Sequence, residues 1–126
     1  MNFELMFLSR DLVLRFGAGF YAAWLTHMNE TISGVSPYGL AIGMSVQDTT
    51  DSKLTVKVPY AAHLVGDPDS GVIHGGVITA ALDNASGSAV RVSEDWHDGL
   101  SMATLDIRID YMKPATPHVD LLVTAE

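Results

Sequence analysis

The chain has 126 residues, of which 48% are apolar. This length allows one domain with a modest core, and the high apolar share favours oligomerisation. The chain contains no cysteine, which excludes disulfides, thiolate zinc sites and cysteine nucleophiles and fits a reducing cytoplasm. Its formal net charge of −8, with only seven Lys and Arg, argues against nucleic acid as a partner.

The first 34 residues are apolar at a helical spacing. Large side chains recur every four positions at Leu8, Leu12, Phe16, Phe20 and Trp24. Arg10, Asp11 and Arg15 interrupt the run, which leaves no uncharged stretch of the ~20 residues that a bilayer requires. We therefore predict a helical packing segment over residues 1–34 and no membrane span.

Four later segments alternate apolar and polar residues with period two, which is typical of half-buried strands. They are Leu40–Val46, Leu54–Tyr60, Leu105–Tyr111 and Val119–Ala125. Pro114 closes the third, because proline ends ladder pairing. With one helix between the second and third strands, the pattern predicts a single α+β domain over residues 1–126, with its core in residues 35–126.

The segment from Gly75 to Val90 is an apolar, Ala-rich run with one charged residue, Asp83. A helix that is apolar around most of its circumference should be buried. A carboxylate in that setting costs free energy unless something pairs with it or uses it, which makes Asp83 a candidate functional group. The alternative is an aspartate that leans out at the edge of a helix-packing contact.

The helix start offers a second functional element. His74 is followed by Gly75 and Gly76, and a helix start presents unpaired N–H groups that can hold a developing oxyanion. His74 and Asp83 are nine residues apart, or roughly 13 Å along a helix, so they cannot act on the same atom of one ligand. If Gly75 holds the oxyanion and Asp83 performs the chemistry, the two come from different chains, which predicts a homo-oligomer with composite sites. His74 as a simple helix cap is the alternative.

An anionic ligand would need a local basic patch in so acidic a chain. Arg91 follows the predicted helix, Arg108 lies in the third strand and Lys113 follows that strand. These three are the candidate members of the patch, although exposed Lys and Arg are also ordinary surface residues. The five histidines show no i, i+4 pair, so we predict no metal site and no cofactor.

Three motifs together resemble the hotdog-fold acyl-CoA thioesterases of the phenylacetate-degradation type, which are related to 4-hydroxybenzoyl-CoA thioesterase. The motifs are His74-Gly75-Gly76, Leu82-Asp83-Asn84 and the run from Thr104 to Ala115, and their order and spacing match over about residues 35–126. The resemblance implies a curved antiparallel sheet that wraps a central helix, with subunits paired into dimers or dimers of dimers that share active sites. The family fold continues for two strands beyond the position of Glu126, so the resemblance also implies that C-terminal strands are missing.

The resemblance assigns roles to the motif residues. It makes the Gly75 N–H the oxyanion donor, with His74 orienting the loop or the thioester carbonyl. It makes Asp83 the nucleophile or the general base for water, and Thr104 a hydroxyl that helps to place the water. Gly76 and Asn84, which lie beside these residues, are candidates for binding the acyl-CoA substrate, and so are Arg91, Arg108 and Lys113, which the charge of the chain rather than the resemblance suggests. Where many members carry an asparagine, six residues before the histidine, this chain has Pro68.

The sequence thus predicts a cytoplasmic acyl-CoA thioesterase, with two alternatives left open. The first is a non-catalytic acyl-CoA-binding protein or an inactive, truncated relative. The second is a hydratase or dehydratase on the same fold, which would consume a thioester without releasing thiol. The parity of Thr104 on its predicted strand places it away from Leu105 and Ile107, so it reaches a site only if that face meets a partner or a bulge turns it.

Overall fold

The computed structural model describes residues 36–50, 53–93, 95–97 and 100–126. The predicted packing helix over residues 1–34 lies outside the described residues. Within the described part, no helix combines the length and the hydropathy that crossing a membrane requires.

The first described element is a short helix, α1 (Pro37–Ala41), where the sequence pattern predicted the start of a strand. The Ser36 side chain accepts a hydrogen bond from the Gly39 N–H at 3.2 Å, and Pro37 occupies the first helical turn. A serine cap followed by proline is a strong helix start signal, so this local chemistry overrides the period-two pattern at Leu40. The predicted strand is wrong over these residues, and the real one begins at Ser45.

Three strands form the main antiparallel sheet, in the order β1 (Ser45–Thr50), β2 (Lys53–Val58) and β5 (Leu121–Ala125). The register of β1 and β2 shifts between Val46 and Asp48, which is a β-bulge. Strand β2 then pairs along its length with β5, from Leu54 opposite Ala125 to Val58 opposite Leu121. The second and fourth predicted strands are therefore confirmed, and the structure shows that they pair with each other, which the alternation alone does not predict.

A hairpin and a long helix follow β2. A 3₁₀ turn (Ala62–Leu64) leads into the two-stranded hairpin of β3 (Val65–Asp67) and β4 (Val72–Ile73), which delivers the chain to α2 (Gly75–Arg91). Gly71 closes the hairpin turn with a φ of 73°, a left-handed conformation that favours glycine.

Helix α2 packs on β2 and β5 through one stripe of mostly small residues: Val77, Ala81, Ala85 and Ser88. The stripe faces the apolar sides of the strands, and together they form the core: Ile42, Met44, Val46, Leu54, Val56, Val58, Leu64, Ile73, Val77, Ala81, Ala85 and Val123. The rest of the helix surface is only partly covered within the described chain, so its burial is less complete than its apolar sequence predicts. A long helix on an antiparallel sheet is the predicted α+β architecture.

The third predicted strand is not formed. Of the described residues 100–120, none belongs to a helix or a strand. The apolar face that the alternation predicted to be buried is largely exposed, with Leu105 at 100% and Ile107 at 42% relative exposure. A strand exists only where a neighbouring backbone supplies ladder hydrogen bonds, and no described segment pairs with this one. The sequence carries the strand pattern, but the described chain supplies no partner for it.

Ionic contacts at the start of β5 make stability depend on pH. The Lys57 ammonium lies 2.7 Å from one Asp120 oxygen, and the Tyr60 N–H donates to the other at 2.8 Å. These two contacts hold the pKa of Asp120 below its usual range. A carboxylate with a depressed folded-state pKa contributes stability above its unfolded pKa of about 3.9, and that contribution is lost as the pH falls through the folded pKa.

We expect Asp120→Asn to lower the midpoint of thermal unfolding at pH 7 and to make stability fall less steeply between about pH 5 and pH 2. Unfolding followed by circular dichroism across that range measures both effects. Asp106→Asn is the matched control, because Asp106 is exposed and its carboxylate makes no hydrogen bond or ion pair with another described residue. Parallel pH profiles for wild type and Asp120→Asn would contradict the assignment.

The hairpin packs closely on the residue that precedes α2. A Cβ at Gly66 would lie 2.7 Å from the His74 Cα and 2.9 Å from its Cβ, while the His74 N–H donates to the Leu64 carbonyl at 2.9 Å. We expect Gly66→Ala to lower the free energy of unfolding by about 1–3 kcal/mol, because the added methyl must displace backbone. Chemical denaturation measures the loss. In the control Gly87→Ala the new methyl meets only the flexible Met102 end at 3.1 Å, so stability should be unchanged or higher.

Candidate functional site

The start of α2 is capped by a histidine side chain. His74 has extended backbone geometry, and its Nδ1 accepts a hydrogen bond from the Gly76 N–H at 2.9 Å. An Nδ1 that accepts leaves the proton of the neutral imidazole on Nε2. The structure therefore gives His74 the capping geometry that the sequence offered as an alternative, and the Nε2 edge remains available to a ligand.

The capped turn leaves one backbone donor open. The His74 carbonyl accepts from the Val77 N–H at 2.9 Å, and the Gly76 N–H is taken by His74. The Gly75 N–H has no hydrogen-bond acceptor among the described residues. It lies at the positive end of the macrodipole of a 17-residue helix, where an anionic oxygen is stabilised.

Two hydroxyl groups hold the carbonyl of the same residue. The Gly75 carbonyl accepts from Tyr111 Oη at 2.8 Å and from Thr79 Oγ1 at 3.1 Å, and the two hydroxyls lie 2.8 Å apart. The sequence pattern placed Tyr111 on the apolar face of a strand and gave no role to Thr79. The contacts of Tyr111 depend on the path of the chain after residue 100, which alternation alone does not reveal, whereas the bond from Thr79 to Gly75 is local to the helix.

Asp83 lies in the middle of α2 and is half-buried. Its Oδ1 accepts a hydrogen bond from Thr104 Oγ1 at 2.5 Å. The structure thus brings these two predicted site residues together within one chain. The parity that placed Thr104 away from the core is not an obstacle, because residues 104–111 are not held in a strand. Asn84, the next residue, turns its amide back to the Ala80 carbonyl at 2.9 Å.

Asp83 and Thr104 line a groove of about 640 Å³. Its walls come from α2, the start of α1 with its capping serine, and the segment after residue 100: Ser36, Pro37, Asp83, Asn84, Ser86, Gly87, Ser88, Val90, Arg91, Met102, Ala103 and Thr104. The groove therefore places the Asp83 carboxylate and the Arg91 guanidinium along one side of the helix. Its volume falls in the range of small-molecule sites.

The three predicted basic residues lie in different settings. Arg91 lines the groove, its guanidinium carbon lies 6.0 Å from the centre of the Trp96 ring, and its Nε is buried without a hydrogen-bond partner in the described structure. Arg108 is exposed and pairs with Asp110 at 3.1 Å, and Lys113 is exposed. Only Arg91 shares the groove with Asp83, so the structure does not assemble the three into one patch.

Gly75 and Asp83 are separated by eight residues of continuous helix, or about 12 Å. This geometry keeps the open N–H and the carboxylate of one chain apart. Among the described residues, no group of three or more His, Asp and Glu is close enough to hold a metal ion.

Comparisons with known proteins agree with this architecture. Residues 70–126 match the sequence profile of the Thioesterase superfamily. A solved structure of a Pseudomonas aeruginosa protein superposes with a TM-score of 0.64 at 34% identity, covering 78% of this chain and 71% of that one.

Two curated relatives carry activities in their names. The protein VNG_1336C of Halobacterium salinarum, named as an esterase, is 34% identical over 66% of this chain, and the medium/long-chain acyl-CoA thioesterase YigI of Escherichia coli K12 is 32% identical over 62% of it. In each case the match spans 57% of the relative's own length. The profile match over α2 and the segments after it, together with the superposed structure, confirms the predicted kinship: the chain belongs to the thioesterase superfamily and has the hotdog fold.

Proposed function

We propose that this protein hydrolyses acyl-CoA thioesters to a free acid and CoA, with water as the acceptor. The observation that carries the proposal is the Asp83 carboxylate, half-buried in a groove, with the Thr104 hydroxyl 2.5 Å from its Oδ1. A carboxylate engaged at one oxygen keeps the other for a water molecule or for the substrate. Membership of the thioesterase superfamily and the similarity to an acyl-CoA thioesterase support the same chemistry.

The reaction needs few groups, because a thioester carbonyl is already electrophilic. In the base-catalysed form, Asp83 takes a proton from water as the water oxygen bonds to the acyl carbon. The carbonyl oxygen becomes an oxyanion that accepts from a Gly75 N–H. The carbonyl then re-forms, the C–S bond breaks, and the departing CoA sulfur takes up the proton that Asp83 removed from water. In the alternative, Asp83 attacks the acyl carbon directly, the C–S bond breaks to release CoA, and water then hydrolyses the resulting anhydride to the free acid and the Asp83 carboxylate.

The proposal requires two copies of the chain. The open Gly75 N–H and the Asp83 carboxylate of one protomer are about 12 Å apart, too far to reach one acyl carbon. We propose a homodimer, or a dimer of dimers, in which one protomer supplies Gly75 and its partner supplies Asp83 and Thr104. The largely exposed apolar side chains of Leu105 and Met112 are consistent with a surface that a second copy covers.

Residues around Gly75 and around Asp83 would bind the substrate. Arg91 and Asn84 lie on the same groove as Asp83 and would contact the substrate along it. Arg108 and Lys113 are exposed and would meet the phosphates of CoA outside the groove, where Arg108 would exchange Asp110 for a phosphate. Gly76 would bind through its exposed backbone at the helix start.

We expect thiol release from at least one member of a panel of short-chain, long-chain and aromatic acyl-CoAs, and we expect Asp83→Asn to lower kcat on that substrate by about 10²- to 10⁴-fold. The variant keeps the shape of the side chain and removes the carboxylate. Thr104→Val should lower kcat by about 10-fold because it removes the hydroxyl, whereas Thr104→Ser should retain most activity. A thiol-reactive dye that reports free CoA measures all of these rates.

Asp69→Asn is the matched control, because Asp69 is exposed on the hairpin turn and away from the groove. Equal activity of wild type and Asp83→Asn would overturn the role of Asp83. If folded wild type consumes a thioester without releasing thiol, the hydratase alternative holds, and if it binds acyl-CoA without consuming it, the protein is a binding protein.

A further inference from the structure

The first peptide group inside α2 is held at both ends by side chains. Its carbonyl, that of Gly75, accepts from Tyr111 Oη at 2.8 Å and from Thr79 Oγ1 at 3.1 Å. Its N–H, that of Gly76, donates to His74 Nδ1 at 2.9 Å. Because a peptide group is planar, contacts at the two ends fix the orientation of the whole plane.

The neighbouring peptide group, between His74 and Gly75, contains the open N–H. Its carbonyl is tied to the Val77 N–H at 2.9 Å, and the plane that follows it is fixed by the side chains described above. The Gly75 N–H is therefore directed out of the helix by constraints on both sides. A donor fixed before the reaction costs no reorganisation when negative charge develops, which is how an oxyanion-binding group contributes most.

Two consecutive glycines make these contacts necessary. Glycine has the widest choice of backbone angles and disfavours a helix by about 1 kcal/mol relative to alanine, so this start is intrinsically loose. A threonine hydroxyl that bonds to the carbonyl four residues back is a local contact. Tyr111 is different, because it lies 36 residues from Gly75 in the sequence. Its ring packs over Gly75, so a Cβ added to Gly75 would lie 3.4 Å from the Tyr111 Oη.

We infer that Tyr111, assisted by Thr79, is a positioning residue that fixes the Gly75 N–H for oxyanion binding. The inference rests on the proposed function. The same inference places Thr104 and Tyr111, which lie on one segment of the chain, in different active sites. Thr104 contacts Asp83 and Tyr111 contacts Gly75, and in the proposed oligomer the Asp83 and Gly75 of one protomer belong to different composite sites.

The first test compares steady-state kinetics of variants that remove one hydroxyl each. We expect Tyr111→Phe to lower kcat roughly 3- to 10-fold with little change in KM, since one hydrogen bond that orients a transition-state contact is lost. Thr79→Val should act in the same direction, Thr79→Ser should restore activity, and the double variant should lose less than the product of the single losses, because both hydroxyls serve one carbonyl. Thr55→Val is the matched control, since the Thr55 hydroxyl pairs with that of Thr124 on the sheet at 2.9 Å.

The second test asks whether Tyr111 acts in the composite site that contains the Gly75 of its own chain or in the one that contains the Asp83 of its own chain. Asp83→Asn and Tyr111→Phe chains are co-expressed so that mixed oligomers form. A mixed pair contains one intact site, with Gly75 and Tyr111 from the first chain and Asp83 and Thr104 from the second. We expect the co-expressed preparation to exceed the mean activity of the two parents several-fold. If Tyr111 served the Asp83 of its own chain, every site of the mixed pair would carry a defect, and activity would match that mean.

The outcomes separate this inference from the proposed function. Wild-type kcat in both Tyr111→Phe and Thr79→Val, with Asp83→Asn inactive, overturns the inference and leaves the thioesterase in place. A raised KM with unchanged kcat, or a loss of folding that thermal unfolding detects in Tyr111→Phe and Thr79→Ser alike, also overturns it in favour of a structural role. Absence of thiol release by wild type overturns both.

Discussion

The close packing of α2 on the sheet is the constraint on which the site depends. Ala81 and Ala85 are fully buried against β2 and β5, and side chains this small bring the helix backbone near the strands. Asp83 follows Ala81 by two residues, or about 200° around a helix, so burial of the alanines turns the carboxylate away from the sheet. The alanine stripe thus sets the direction in which the candidate catalytic side chain points, as well as contributing to the core.

The start of α2 is open to an approaching ligand and is also held in place by hydrogen bonds. Gly75 and Gly76 have no side chains to shield the N–H groups, which permits a ligand to approach the backbone. The same lack of side chains leaves the turn loose, and the structure offsets this with three polar contacts at one peptide group, from His74, Thr79 and Tyr111. Gly66 serves this arrangement from a distance, because only a residue without a Cβ allows the hairpin to lie against the backbone of His74.

Much of the fold could be predicted from local patterns, because burial imposes periodicity. The helix over Gly75–Arg91 and strands β2 and β5 follow the predicted patterns within a few residues. The prediction failed at Leu40, where Ser36 and Pro37 start a helix, and over Leu105–Tyr111, where the pattern is right for a strand but no described backbone pairs with it. Strand pairing is a property of two segments, and periodicity reports only one of them.

Part of the candidate site could also be predicted from local sequence patterns. A lone carboxylate in an apolar helix makes Asp83 a candidate without knowledge of the fold, and two glycines after a histidine indicate the helix start that the structure shows. The contacts of Thr104 and Tyr111 were beyond such reasoning, since strand parity assigned them to opposite faces. Both reach α2 because the segment that carries them follows the helix surface instead of a sheet register.

That segment also connects the site to the proposed assembly. Leu105 and Met112, at 100% and 90% relative exposure, lie directly beside Thr104 and Tyr111. Covering each with a second copy of the chain would contribute about 1.5–3 kcal/mol, so residues 104–112 gain much of their order from a partner if the oligomer forms as proposed. A more ordered segment would in turn hold the Thr104–Asp83 and Tyr111–Gly75 hydrogen bonds more rigidly. Of these two contacts in one protomer, each would belong to a different composite site. Assembly would then place Gly75 opposite the partner's carboxylate and, in the same step, stiffen the hydrogen bonds that hold both groups in position.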